Sequence, residues 1–291
     1  MKKILIISYH FSKKEAIAAI RLRGLAKYLL SFGWESIIVC GDTGENIGFI
    51  TSEVLTNDVL TNWKKTLGLS IHSSLKDQLV IPSYKNKKTI LDIILNLWAE
   101  LFTYPDAYKT WINPAIERGC EILKNEKFDA IISSSGPPSV NLVAASLSKK
   151  FNIPWIADFR DLWTQNHYYP YSKIRRFFER RLELRTLSPA TILTTVSQPL
   201  AEKMQELHKN KKIVVIPNGF DPEQMNQSAP ISDKFSITYT GYLYQGRRDP
   251  EPLFRLAREL INENLIEPNL LEINFYGYDE GWLIHDVKNI N

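Results

Sequence analysis

Short, almost wholly apolar runs alternate along the chain with longer stretches in which apolar residues recur every three or four positions. The runs at 4–8, 36–40, 130–133 and 155–157 have strand length and almost no polar content, as strands covered on both faces require. Between them, a helical period over 16–32 predicts a buried face of Ala18, Ile20, Leu25 and Leu29, with Gly33 placed to end the helix in a left-handed cap. A second such period covers 140–151. This alternation predicts an α/β fold, a Rossmann-like parallel sheet with helices on both faces.

The pattern continues through strands at 191–196 and 212–216 and is broken by Pro217-Asn218-Gly219. Residues 1–220 therefore read as one domain. Residues 221–234 are polar, contain Pro222 and Pro230, and read as a linker. A strand at 235–240, Gly241, a helix at 250–264 and a strand at 272–276 then open a second Rossmann-like domain, 235–291. A strand, a helix and a strand are too few to bury both faces of a sheet, so this second domain is expected to be incomplete.

With 44% hydrophobic residues in 291, the chain can bury one large core or two ordinary ones. Its 36 basic and 32 acidic residues leave a net charge of +4. That excess suits anionic substrates or lipid and does not demand nucleic acid, which is not expected as a partner. Cys40 and Cys120 match no metal spacing and read as reduced thiols in a cytoplasmic protein; no metal is expected. The apolar run 4–7 after Met1-Lys-Lys is too short for an export signal. Asp92, Asn96 and Glu100 interrupt the stretch 90–102, so no bilayer span is expected.

In an open parallel sheet, ligands bind beyond the carboxyl ends of the strands, which draws attention to three loops. Ser8-Tyr9-His10-Phe11 follows the first strand and leads to Arg21. It lacks the Gly-x-Gly-x-x-Gly fingerprint, which argues against a dinucleotide; His10 is either a binding residue or a surface imidazole. Ser133 to Pro138 ends a strand and opens a helix with Ser139 as its N-cap, so Ser135 and Gly136 with the exposed amides would receive a hydroxyl-rich or anionic group, or form only a turn. In Asp158-Phe159-Arg160-Asp161-Leu162-Trp163, two carboxylates, a guanidinium and an indole surround one crevice. Such groups hold sugar hydroxyls, phosphate and a pyranose face; the alternative is a loop-tying salt bridge from Arg160 to Asp158 or Asp161.

Taken in order, Arg21 with Leu25, Leu29 and Gly33, then Ser-Gly-Pro-Pro, Ile-Pro-Trp-Ile-Ala-Asp-Phe-Arg-Asp-Leu-Trp, Thr195-Val196-Ser197, Val215-Ile216-Pro217-Asn218-Gly219-Phe220-Asp221 and Thr238-Tyr239-Thr240-Gly241 form a recognisable series. It resembles the GT4 family of retaining glycosyltransferases with the GT-B fold, more closely the bacterial members that build capsule, O-antigen and exopolysaccharide. The resemblance implies that the first domain binds the acceptor, with His10, Arg21, Ser135, Gly136, Asp158 and Arg160 on that side and Asp161 as a catalytic-site carboxylate. The second domain would bind a nucleotide-sugar, Gly241 giving the donor diphosphate close approach and Arg247 or Arg248 holding it. Tyr242 stands where many relatives have a second Arg. The family's paired glutamates have no counterpart before Asn291, so turnover by these 291 residues alone is not expected. A histidine that some relatives carry is replaced by Ser135-Gly136.

The implied function is transfer of a sugar from a nucleotide-sugar to a glycan or lipid-linked acceptor in cell-surface polysaccharide biosynthesis. It would need no cofactor and would proceed in the cytoplasm or peripherally on the inner membrane face. A nucleotide-sugar epimerase of the same fold and a non-catalytic scaffold are the alternatives. For an anionic membrane surface there are two candidates. Lys85, Lys87 and Lys88 lead into the apolar helix 90–102, which is either an interfacial anchor or core. Helix 172–187 has Ile174, Phe177 and Phe178 on one side, read as docked to the core, with Lys173, Arg175, Arg176, Arg180, Arg181 and Arg185 around it and Glu179 and Glu183 as partners. Trp63, Trp98 and Trp111 read as core. Tyr168, Tyr169 and Tyr171 line an acceptor cleft or merely pack their loop.

Overall fold

Successive residues of the first strand face two different cores, and the rest of the first unit follows from that. The computed structural model describes residues 1–12, 17–41, 48–59, 61–62, 100–167, 169, 171–224, 232–241, 243 and 248–277. It divides into two units, Met1–Asp221 and Pro222–Asn291. Leu5 and Ile7 belong to one buried cluster, Ile4 and Ile6 to the other. Side chains alternate across a strand, so the sheet is covered on both sides.

In chain order the first unit has β1 (Lys2–Ile7), α1 (Ile17–Leu29), β2 (Trp34–Cys40), β3 (Ile50–Glu53), α2 (Ile112–Asn125), β4 (Ala130–Ser135), α3 (Ser139–Phe151), β5 (Trp155–Phe159), α4 (Lys173–Leu187), β6 (Ile192–Thr195), α5 (Gln198–Leu207) and β7 (Ile213–Val215). The seven strands are all parallel, in the order β3-β2-β1-β4-β5-β6-β7. Helices α2 and α3 cover one face through Ala115, Leu123, Val140, Val143 and Leu147, while α1 contributes Leu22 and Ala26 to the other. The predicted α/β architecture is the observed one.

The details correct several expectations. Helix α1 buries Ala19, Leu22 and Ala26, not the expected face: Ile20 and Leu25 are exposed and Leu29 is only partly covered. Small residues at 19 and 26 let the helix backbone approach the sheet, which bulky Ile20 and Leu25 would prevent. Gly33 does end this segment in the left-handed conformation, φ 77°. Strands β4 and β5 each run two residues further than their apolar runs, taking Ser134, Ser135, Asp158 and Phe159 into the sheet. β3 and α2 were not foreseen. Trp111 is core as expected, and Cys40 and Cys120 are both buried and free.

The largest correction is α4, which is turned inside out. Arg175, Glu179 and Glu183, at successive i+4 positions, are buried, whereas Ile174, Phe177 and Phe178 are exposed. The buried stripe is fully hydrogen-bonded. Arg175 donates to Glu179 Oε1 and Thr103 Oγ1 and to the carbonyls of Glu100, Thr103 and Pro105, and its guanidinium stacks 3.4 Å from the Tyr171 ring centroid. Glu179 also accepts from Trp163 Nε1, and Glu183 from the Thr164 amide and hydroxyl, with His208 Nε2 3.2 Å away. Helix α4 thereby pins the segments 100–105 and 163–164.

The second unit, taken by itself, has β8 (Phe235–Thr240), α6 (Glu251–Asn262) and β9 (Leu271–Tyr276), with β8 and β9 parallel. Among its described residues only Leu243 and Pro250 are buried. The expectations placed on Trp63, residues 85–99 with Trp98, Tyr168, Tyr242 and Arg247 lie outside the described residues.

Candidate functional site

The strand order places the sheet's switch point between β1 and β4, whose following loops part to leave a crevice at their carboxyl ends. Four of the expected residues lie on these loops or the next one along. His10, after β1, is half-buried with its ring edge-on to Tyr9 at 4.9 Å and to Tyr108 at 5.8 Å. Tyr9 in turn packs on Tyr108 and Trp111, an aromatic support that fixes the start of the loop. Gly136, directly after β4, has φ 113°, a conformation that a residue with a side chain rarely adopts. A Cβ built there would stand 3.6 Å from Arg160 Nη2, so the guanidinium lies against the turn after β4. Asp161 is exposed beside it.

Arg21 and Asp158, both expected on the acceptor side, are joined to one another. Arg21 forks onto Asp158 with two bonds of 3.0 Å. Asp158 Oδ1 also accepts from Thr194 Oγ1 at 2.6 Å, and Oδ2 from Ser134 Oγ at 3.5 Å. The remaining Arg21 nitrogen donates to the Pro217 carbonyl and Asn218 Oδ1. These bonds tie β4, β5, β6, α1 and the 217–218 turn together. Lys27 and Tyr28 extend the tie to Asp221. Asp158, one of the two partners weighed for Arg160, thus pairs with Arg21.

Ser135 is buried at the end of β4 and Ser139 is not the N-cap of α3. The cap comes from elsewhere in the chain. Asp106 accepts from the Ser139 amide and hydroxyl and from the Tyr108 amide at 2.6 to 2.7 Å. A carboxylate at a helix N-terminus satisfies otherwise orphaned donors. Burial nevertheless raises the Asp106 pKa above its ordinary value, outweighing the hydrogen bonds from Ser139 and Tyr108 that lower it. Asp106 thereby ties the turn after β4 to Tyr108, the ring beside His10. Neither residue stood out in the sequence, because Tyr104-Pro105-Asp106-Ala107-Tyr108 matches no motif.

In the second unit, Gly241 follows β8 with φ 139°, and a Cβ at Gly277, after β9, would meet the Gly241 carbonyl at 2.3 Å. Two bare backbones therefore meet at the carboxyl end of this sheet. Arg248 Nη1 donates to Tyr239 Oη at 2.8 Å, and that hydroxyl lies 3.5 Å from where a Gly241 Cβ would be. Gly241 and Arg248 are thus brought together.

An open parallel sheet with its crevice at a β1/β4 switch point defines a Rossmann-like domain of the kind found in GT-B glycosyltransferases. The chain belongs to glycosyltransferase family 4, whose model matches residues 18–224. Among solved structures it is similar to TarM, with a TM-score of 0.57, 10% identity, and coverage of 100% of this chain and 75% of TarM. MurG of Acinetobacter baumannii gives 0.41 at 11% identity over 100% of this chain, and HepE of Anabaena in complex with UDP and glucose gives 0.47 at 12% over 100%. The chain spans 62% and 65% of the length of these last two. No curated protein matches it.

Proposed function

We propose that the protein transfers a sugar from a nucleotide-sugar to a glycan or lipid-linked acceptor in the biosynthesis of cell-surface polysaccharide. The observation that carries this reading is the meeting of Arg160 with the Gly136 turn at the switch point, inside the stretch matched by the family. A guanidinium beside a turn that only glycine adopts readily puts positive charge next to bare backbone, a combination that suits a hydroxyl-rich or anionic group. In the second unit the Gly241–Arg248 cluster suits a diphosphate in the same way: Gly241 and Gly277 bring no Cβ to the strand ends, and Tyr239 accepts from the cation. Asp161, exposed next to Arg160, is the carboxylate best placed to accept a proton or hold a hydroxyl.

Epimerisation on the same fold needs no acceptor, and the two readings separate in one assay. A nucleotide-sugar panel is incubated with the natural protein, with and without a lipid-linked glycan fraction. Transfer predicts release of nucleoside diphosphate that depends on that fraction. Conversion of the donor sugar at an equal rate without it would reject the proposal.

A further inference from the structure

The inverted helix α4 gives its outer face an unusual chemistry. Nine of its residues are exposed: Lys173, Arg176, Arg180, Arg181 and Arg185 are cations, Ile174, Phe177, Phe178 and Leu184 are apolar, and both acids of the helix point inward. Ile174 is 74% exposed and the two Phe are each 53% exposed, their rings edge-to-face at 5.5 Å. Arg181 lies over the Phe177 ring at 4.2 Å, so charge and apolar surface are interleaved. Glu100 accepts from the amide and hydroxyl of Ser172, the N-cap of α4, and so fixes the start of the helix.

We infer that α4 lies on the headgroup region of an anionic bilayer, with Ile174, Phe177 and Phe178 inserted among the acyl chains and the five cations among the phosphates. A helix with an aromatic and aliphatic tip flanked by Arg and Lys, and with no exposed acid, matches the charge and depth of such an interface. A second copy of the chain meeting this face about a two-fold axis would set five cations against five, so self-association is disfavoured. Leaving Phe exposed to water without a partner is costly, while hydrocarbon accepts it. The inside-out packing is what makes the face available: the polar contacts that pin 100–105 and 163–164 turn the greasy side outward. No helix among the described residues is long and apolar enough to cross a membrane. The inference deepens the reading of a lipid-linked acceptor, on which its purpose rests, but bilayer binding itself requires neither donor nor acceptor.

The test is flotation of the full chain with phosphatidylcholine vesicles containing about one third phosphatidylglycerol, against phosphatidylcholine alone, at low and high salt. The parent chain floats with the anionic vesicles only, and salt weakens it. Phe177→Ser with Phe178→Ser, and separately Arg180→Gln with Arg181→Gln, each lower partitioning at least tenfold; all four side chains are exposed, and the charge pair serves as the second arm should the aromatic pair fail to fold. Absence of parent binding, equal binding to neutral vesicles, undiminished binding by either folded variant, or a dimer of the free chain that Phe177→Ser with Phe178→Ser dissociates would each overturn the inference. Sugar-transfer activity without vesicle binding would leave the transferase reading standing and remove this one.

Discussion

Replacing Arg175 with alanine is expected to leave the first unit largely unfolded. The guanidinium serves five acceptors at once, three of them backbone carbonyls of 100–105, in a position only 5% exposed. Truncation strands Glu179 as a buried charge, a loss of about 3–5 kcal/mol. Each abandoned buried carbonyl adds roughly 1–3 kcal/mol. The sum approaches or exceeds the whole stability of an ordinary domain, about 5–15 kcal/mol. Lysine does not rescue it, because a single ammonium cannot replace a planar fork that also stacks on Tyr171. Circular dichroism and a denaturant melt decide the matter. A folded Arg175→Ala chain with a midpoint close to the parent's would show that the stripe is not what holds segment 100–105.

Arg21→Ala is the second large effect, and it differs in kind. Asp158 would keep its bonds from Thr194 and Ser134 but lose the counter-charge that forks onto it, at a side-chain exposure of 7%. The expected cost is again about 3–5 kcal/mol, which for a unit of this size lowers the melting temperature by roughly 6–20 °C. Arg21→Ala with Asp158→Asn should recover a substantial part, since the neutral amide removes the stranded charge while keeping shape. If the double variant is no more stable than the single one, the pair is not coupled as the geometry requires.

Much of the fold was legible because a doubly covered sheet demands apolar strands, and runs such as 4–8 supply them. The ends of β4 and β5 were not, since Ser134, Ser135 and Asp158 look like loop residues until Thr194 and Arg21 are seen to satisfy them across strands. β3, with Ser52 its one buried residue, carries no periodic signal. The burial of α4 was misread because apolar residues ordinarily face inward. The partners that reverse this, at 100–105, 163–164 and 208, lie far away along the chain. At the site, Gly136 and Arg160 could be grouped from sequence, since both follow neighbouring strands. Asp106 and Tyr108 could not, because only tertiary contact brings them to α3 and His10. The bonds of Asp158 to Arg21, Thr194 and Ser134 could not be read from its neighbours in sequence either.

The claim that Arg160 serves a transfer site at the switch point is tested most directly by kcat/KM of the natural protein carrying Arg160→Ala, measured beside its thermal melt. The account predicts a fall of at least about tenfold, equivalent to roughly 1.4 kcal/mol of transition-state binding, with the melting temperature little changed. Unchanged turnover, or a loss of turnover that tracks an equal loss of stability, would contradict it.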